Sequence, residues 1–312
     1  MPSASPARWT VIALLLTGCD RTGDPYRVQV DVGPQIRAFA EDTLTADDAG
    51  TQLVQLGPAV IPALAAALEG EPKDVRVKAI EVLATIGSPD ALPALMRAVE
   101  RDPDDDVRGD ALRALGIIGD PRGRALVEAM LDNERLPVRS GGVTACAKLC
   151  ASPDAIDRLA ELAIHDPNVS VALAARTSLH AIGERDGTTV RRAVDARRPE
   201  ALPVGATADE RALAALLASD VDGGAGTVAL VTVLPAASPA LQRQIAWRLG
   251  AIGDEGAVDA LGALHTSPDR DVRLYAVDAL RRLRERGVDA ASKALSSDDA
   301  ARPAGPLPPP EL

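Results

Sequence analysis

The residues with reactive or metal-binding side chains fall into a few small groups, and their spacing decides what chemistry each can support. Acids are densest in Asp102-Pro103-Asp104-Asp105-Asp106, where positions 102, 104 and 106 match the first three ligands of a twelve-residue calcium loop. The match stops there. The glycine position holds Val107, and the twelfth, which needs a bidentate Glu, holds Arg113. Asp106 reads instead as a helix cap, so no metal is assigned. Cys146 and Cys150 stand four apart, and two thiols without further His or Cys at ligand spacing make no zinc site. Helical i, i+4 positions do not suit a disulfide either, so both are expected as core filler. His165, His180 and His265 come singly at expected helix ends, as C-terminal dipole partners, with no Ser or Cys arranged beside them. Asp222-Gly223-Gly224-Ala225-Gly226-Thr227 lacks the lysine and preceding strand of a phosphate loop, which leaves a turn between helices. Cys19 closes Leu16-Thr17-Gly18-Cys19 behind the apolar run Trp9 to Leu16, far shorter than the roughly twenty residues of a bilayer span. These groups predict no catalytic residue, cofactor, metal or small-molecule substrate.

The elements that carry these residues follow from composition and repetition. The chain has 312 residues, 46% hydrophobic but only 2% aromatic, so its apolar mass is Ala, Leu, Val and Ile. Stacked helices need such small and medium aliphatics, whereas a wide globular core uses aromatic rings. A net charge of −11 disfavours nucleic acid and anionic lipid. No segment beyond the leader is expected to reach membrane-spanning length. Asp74-Val75-Arg76, Asp106-Val107-Arg108, Pro137-Val138-Arg139, Asn168-Val169 and Asp271-Val272-Arg273 recur, the first four valines lying 32, 31 and 31 residues apart. Each is followed by apolar residues at helical spacing and a small-residue stop, as in Ile86-Gly87 and Ile118-Gly119. Asp before Val is expected to cap, Gly to stop in the left-handed conformation, and Pro89, Pro121, Pro153 and Pro239 to open helices.

The pattern Asp-Val-Arg, two alanine-spaced turns and Leu-Gly-x-Ile-Gly resembles the short HEAT-like repeats named after the phycobilisome lyases. The resemblance is to a repeat family and implies an all-α solenoid, a right-handed superhelix of about eight helix hairpins over 34–286. Its sixth unit, near 187–219, departs most: from Val169 to the matching Ala208 is 39 residues, with the insertion in Arg197 to Ala206. A kink or bulge is expected there. No such hairpin buries its own stripe, so each must stack on its neighbours. Arg76, Arg108, Arg139 and Arg273 are expected to form a ladder of partly exposed ion pairs, each worth about 0.2–1 kcal/mol. Two enzyme families share these hairpins, the bilin lyases and the iron-dependent deoxyhypusine hydroxylases. The second needs His-Glu pairs, and no His here is followed by Glu.

Leu16-Thr17-Gly18-Cys19 resembles the lipobox of bacterial lipoprotein signal peptides. That resemblance implies removal of residues 1–18, lipidation of Cys19 and attachment to a membrane on the periplasmic side or at the cell surface. Residues 19–33 are then a tether, and 287–312, with Pro303, Pro306 and Pro308 to Pro310, a disordered or polyproline II tail. The expected function is a membrane-anchored scaffold that binds an envelope protein and is not itself an enzyme. Its partner-binding positions are Lys78, Glu81, Asp110 and Arg113, at repeat spacing on second helices of the hairpins. A structural spacer without a stoichiometric partner and a lyase-like modifying enzyme are the alternatives.

Overall fold

Glycine ends two of the regular helices by the mechanism the sequence predicts. Gly87 and Gly119 lie at φ +68° and +71°, where a Cβ is strained, and each follows a helix ending in Ile86 or Ile118. The caps sit elsewhere than expected. Asp104 accepts from the N–H groups of Asp106 and Val107, and Asp269 from those of Asp271 and Val272, so the capping acid is two residues earlier than predicted. In Asp-x-Asp-Val the earlier acid reaches two orphan N–H groups, while the later one, already helical, points a negative charge at the first turn. Asn168 does cap directly before Val169.

The computed structural model describes residues 31–40, 43–295 and 307–310. Cys19, its lipobox and the expected tether up to Val30 lie outside the described residues. Among those described there is helix and turn and no strand, and the chain is an all-α solenoid. Where the sequence predicts one run of hairpins, the chain divides at Gly123 and Arg124 into two compact units.

The first unit contains α1 (Gly33–Ala38), α2 (Thr43–Leu56), α3 (Ile61–Gly70), α4 (Lys73–Ile86), α5 (Leu92–Arg101) and α6 (Asp105–Ile118). Helices α2, α4 and α6 pack side by side, and α3 and α5 lie against them as the other layer. Leu53, Leu64, Leu83, Leu95, Leu112 and Leu115 are essentially solvent-free between the layers. Each such side chain contributes roughly 1.5–3 kcal/mol by leaving water.

The second unit contains α7 (Arg124–Ala129), α8 (Leu136–Leu149), α9 (Pro153–His165), α10 (Val169–Gly183), α11 (Gly187–Asp195), α12 (Ala208–Asp222), α13 (Thr227–Val233), α14 (Pro239–Ile252), α15 (Val258–Ala263), α16 (Arg270–Glu285) and α17 (Asp289–Ala294). Helices α8, α10, α12, α14 and α16 pack in succession. Helices α14 and α16 approach closely at Gly250, where a Cβ would lie 2.9 Å from the Cα of Ala279. Only glycine lets α14 and α16 come this close.

Two helical stretches, 46–70 and 208–236, are long and apolar enough by length and composition to cross a membrane, contrary to the expectation of none. They arise because short turns at Gly57–Val60 and Gly223–Gly226 join consecutive helices with little change of character. Half of the 208–236 window is buried inside its own unit, as expected of a core helix.

The arginine ladder is more buried than predicted. Arg76 makes a two-pronged bond to Asp102, both at 2.8 Å, and Arg139 does the same to Asp166 at 2.6 and 3.2 Å. The carboxylates are 2% and 0% exposed, so these are interior pairs whose partners cannot be removed one at a time without penalty. Arg108 and Arg273 depart from the pattern: Arg108 binds Asp105 and the carbonyl of Val99, and Arg273 the carbonyls of Ser267 and Pro268.

Arginines also pin the expected bulge. Arg197 binds Glu161, Arg198 binds Asp222 and Asp195, and Arg211 gathers the carbonyls of Pro199, Pro203 and Val204. Thr207 and Glu210 then open α12 with a reciprocal capping box, and His165 adds a bond to Glu210 at 2.8 Å. The Thr207 N–H, and next His165, hold the Glu210 carboxyl down at about 2.

Two outcomes follow from these bonds. Asp166→Ala strands the Arg139 guanidinium and lowers unfolding free energy by about 3–5 kcal/mol in a denaturant titration, whereas Asp157→Ala, at an exposed pair, costs under about 1 kcal/mol. Glu210 is depressed in the folded state, so its contribution is complete above the ordinary glutamate range and is lost as pH falls towards 2. The gap in melting temperature between wild type and Glu210→Ala therefore narrows between about pH 5 and pH 2, as thermal melts across that range will record.

Candidate functional site

Within each unit, second helices carry matching positions at one register. Val75, Val107, Leu241 and Val272 are the buried residues that start α4, α6, α14 and α16 in the repeat frame. Three residues further on stand Lys78, Asp110, Gln244 and Tyr275, and six further on Glu81, Arg113, Trp247 and Asp278. The four positions singled out from sequence are thus the first-unit members of a set that recurs in the second unit.

In the first unit the face is a mixed-charge stripe whose charges are already matched. Lys78 on α4 bonds Asp47 on α2 and, at 3.0 Å, Glu81 one turn on, and the Asp47 bond holds its amine above the usual lysine range. Arg113 pairs with Asp110 on α6. Glu81 remains 58% exposed at its side chain, and Ile117, one turn beyond Arg113, is 60% exposed. The stripe therefore offers an apolar spot with a polar surround, the usual pattern of a partner face.

In the second unit the same face holds a peptide. Leu307–Pro310, in the tail expected from sequence to be disordered or polyproline II, lies against α14 and α16, and α17 occupies part of the same expected tail. Gln244 Nε2 donates to the Pro310 carbonyl at 2.8 Å, Trp247 Nε1 to that of Leu307 at 3.3 Å, and the Tyr275 hydroxyl to that of Pro308 at 3.2 Å. The Leu307 N–H donates to Asp278 Oδ1 at 3.3 Å. Asp278 is only 3% exposed, and burial pushes its carboxyl above the usual range. Arg282 stacks over the Trp247 ring at 5.3 Å and donates to the Trp247 carbonyl, which fixes the indole. A proline-rich segment keeps its carbonyls free as acceptors, and this face supplies three side-chain donors. The signal in the sequence was Trp247 and Tyr275 on this register of two repeat helices, at the sixth and third positions after the buried start residue, in a chain with so few aromatics.

A cavity of about 560 Å³ opens among α10, α11 and α12 in the second unit. Leu179, Val190 and Leu217 give it apolar walls, and Arg176, paired with Asp220, with Glu184 and His180 add polar groups. Arg248 donates to the carbonyl of Ser219 at 2.7 Å beside that pair, and burial lowers its guanidinium below the usual range. Sequence reading placed His180 at a helix end and missed the cavity, which depends on how the inserted segment sets α11 against α12.

The other candidates resolve locally. Asp102 binds Arg76, Asp104 and Asp106 hold Lys73, and Asp105 binds Arg108, so the acidic loop spends its carboxylates on neighbouring cations. Among the described residues no cluster of three or more His, Cys, Asp or Glu gathers as metal ligands would. Cys146 and Cys150 are joined in a disulfide, contrary to expectation. The reason is that α8 ends at Leu149: Cys150 is extended, at ψ 137°, and the pair is no longer a helical i, i+4 pair, with Cα atoms 4.5 Å apart.

Comparison with known proteins sets this geometry in a family. The family model of HEAT repeats matches residues 61–147 and 227–303, together more than half of the chain. No curated protein sequence matches it. Among solved structures, human deoxyhypusine hydroxylase in complex with glycerol is 21% identical with a TM-score of 0.36, covering 82% of this chain and 96% of its own. The complex of CpcE and CpcF of phycocyanin lyase from a Nostoc species is 21% identical with a TM-score of 0.42, covering 77% of this chain and 93% of its own. These neighbours correct the expectation that the chain is not an enzyme: one is a hydroxylase and the other a lyase complex, so hairpins of this type are no ground for excluding catalysis. At such identities the likeness is one of fold, and it assigns no reaction here. Stacked helix hairpins and a family match over more than half of its length make this chain a member of the HEAT-repeat proteins.

Proposed function

We propose that the chain is a HEAT-repeat scaffold, tethered through lipid on Cys19 to a membrane of a bacterial cell envelope, that binds an envelope protein through Lys78, Glu81, Asp110 and Arg113. The observation that carries the binding role is the shared register: positions equivalent to these four in α14 and α16 hold an extended segment of chain. Ile117, exposed one turn beyond Arg113 on α6, adds an apolar spot beside the charged residues. The net charge of −11 favours a protein partner over nucleic acid. The address rests on Leu16-Thr17-Gly18-Cys19, and residues 20–33 would set a tether reach of roughly 20 Å if they behave as random coil.

Asp110→Arg combined with Arg113→Asp keeps an ion pair on α6 while inverting the pattern that a partner meets. In-cell crosslinking with affinity capture is expected to recover a dominant envelope partner from the membrane fraction with wild type. The double swap should lose that partner, and Cys19→Ala should move the protein to the soluble fraction. Equal recovery with the double swap, in a protein of unchanged melting temperature, removes the proposed face, and a Cys19→Ala protein that stays with the membrane removes the anchor.

A further inference from the structure

The contacts of Leu307–Pro310 are specific in a way that general apolar packing is not. Four backbone groups of the segment, the N–H of Leu307 and the carbonyls of Leu307, Pro308 and Pro310, each meet a side chain from α14 or α16. The four side chains form two i, i+3 pairs, Gln244 with Trp247 and Tyr275 with Asp278, 31 residues apart. They make a ladder with the repeat's own spacing. The single Trp and single Tyr among the described residues are both here. An indole N–H and a phenol hydroxyl directed at prolyl-segment carbonyls are how aromatic grooves read polyproline II, whose fixed φ leaves little ordering entropy to lose. Pro310 is buried while Pro308 and Pro309 face solvent, as one inward position in three on a three-fold helix would leave them.

We propose that Gln244, Trp247, Tyr275 and Asp278 form a binding groove for an extended proline-rich segment, filled in cis by Leu307–Pro310 and taken over by a proline-rich segment of a partner protein. The tail competes as an intramolecular ligand, at an effective concentration on the order of millimolar for a short connection. A partner segment therefore succeeds by binding more tightly than the tail or by being tethered close to the groove. The groove uses other residues than the α4–α6 stripe, and its test involves neither the envelope partner nor Cys19.

The test uses the full chain in a Trp9→Phe background, so that Trp247 is the only tryptophan, and a labelled peptide with the sequence of residues 304–312. Pro308→Gly/Pro309→Gly/Pro310→Gly frees the tail from its preset conformation. The expected results are a red shift of Trp247 emission in the triple variant, peptide binding to that variant, and peptide binding to the chain with its wild-type tail at least about tenfold weaker because the groove is occupied. Trp247→Phe in the triple background keeps an aromatic ring under Arg282 but removes the indole donor, and should weaken peptide binding several-fold at an unchanged melting temperature. Equal peptide affinity for the chains with wild-type and released tails, or equal affinity with Trp247 and Phe at position 247, overturns the proposal. So does absence of peptide binding to a triple variant that melts as wild type does.

Discussion

No hairpin in this chain can bury its own apolar stripe, and the close stacking of one hairpin on the next is the interaction on which the rest depends. Leu and Ile fill the space between layers, while Ala and Gly on the facing helices set how near the layers come. Gly250 against Ala279 shows this between α14 and α16, because one added methyl group would meet backbone. Thin aliphatic layers explain how a chain with so little aromatic side chain folds at all. They also leave the outward faces of the second helices free to vary, as mixed charge on α4 and α6 and as an aromatic ladder on α14 and α16.

Charge is used to hold register between neighbours. Arg76 with Asp102 and Arg139 with Asp166 place a guanidinium fork from one hairpin on a buried carboxylate of the next, and backbone carbonyls accept from a further guanidinium N–H. Such pairs specify which residue stands opposite which, since a slip leaves a buried charge alone. At the insertion Arg197, Arg198 and Arg211 do the same with Glu161, Asp222 and a run of prolyl and valyl carbonyls, so the longest departure from the repeat is anchored at both ends.

The all-α repeat architecture was legible because Asp-Val-Arg and Ile-Gly recur at nearly constant spacing, and because a left-handed helix stop requires glycine at Gly87 and Gly119. Cap position was not, since Asp104 and Asp106 are both acids in the right place and only geometry says which reaches the free N–H groups. The Cys146–Cys150 bond was hidden by a helix end one residue before Cys150. The tail groove depends on contacts between residues 29 to 66 apart, and the cavity on how α10, α11 and α12 meet, neither of which periodicity reports. The exclusion of catalysis failed for a different reason: it was argued from missing motifs, and a fold family that includes enzymes does not support that argument.

The central claim, that stability resides in interfaces between successive hairpins, is tested most directly by hydrogen exchange on Gly250→Ala, which wedges α14 from α16. The account predicts faster amide exchange in α14 and α16, a smaller change in α12, and none in α8 and α9 of the same unit. Uniform acceleration from α8 through α16 would contradict it, because the unit would then open as a single core and not as a stack of neighbours.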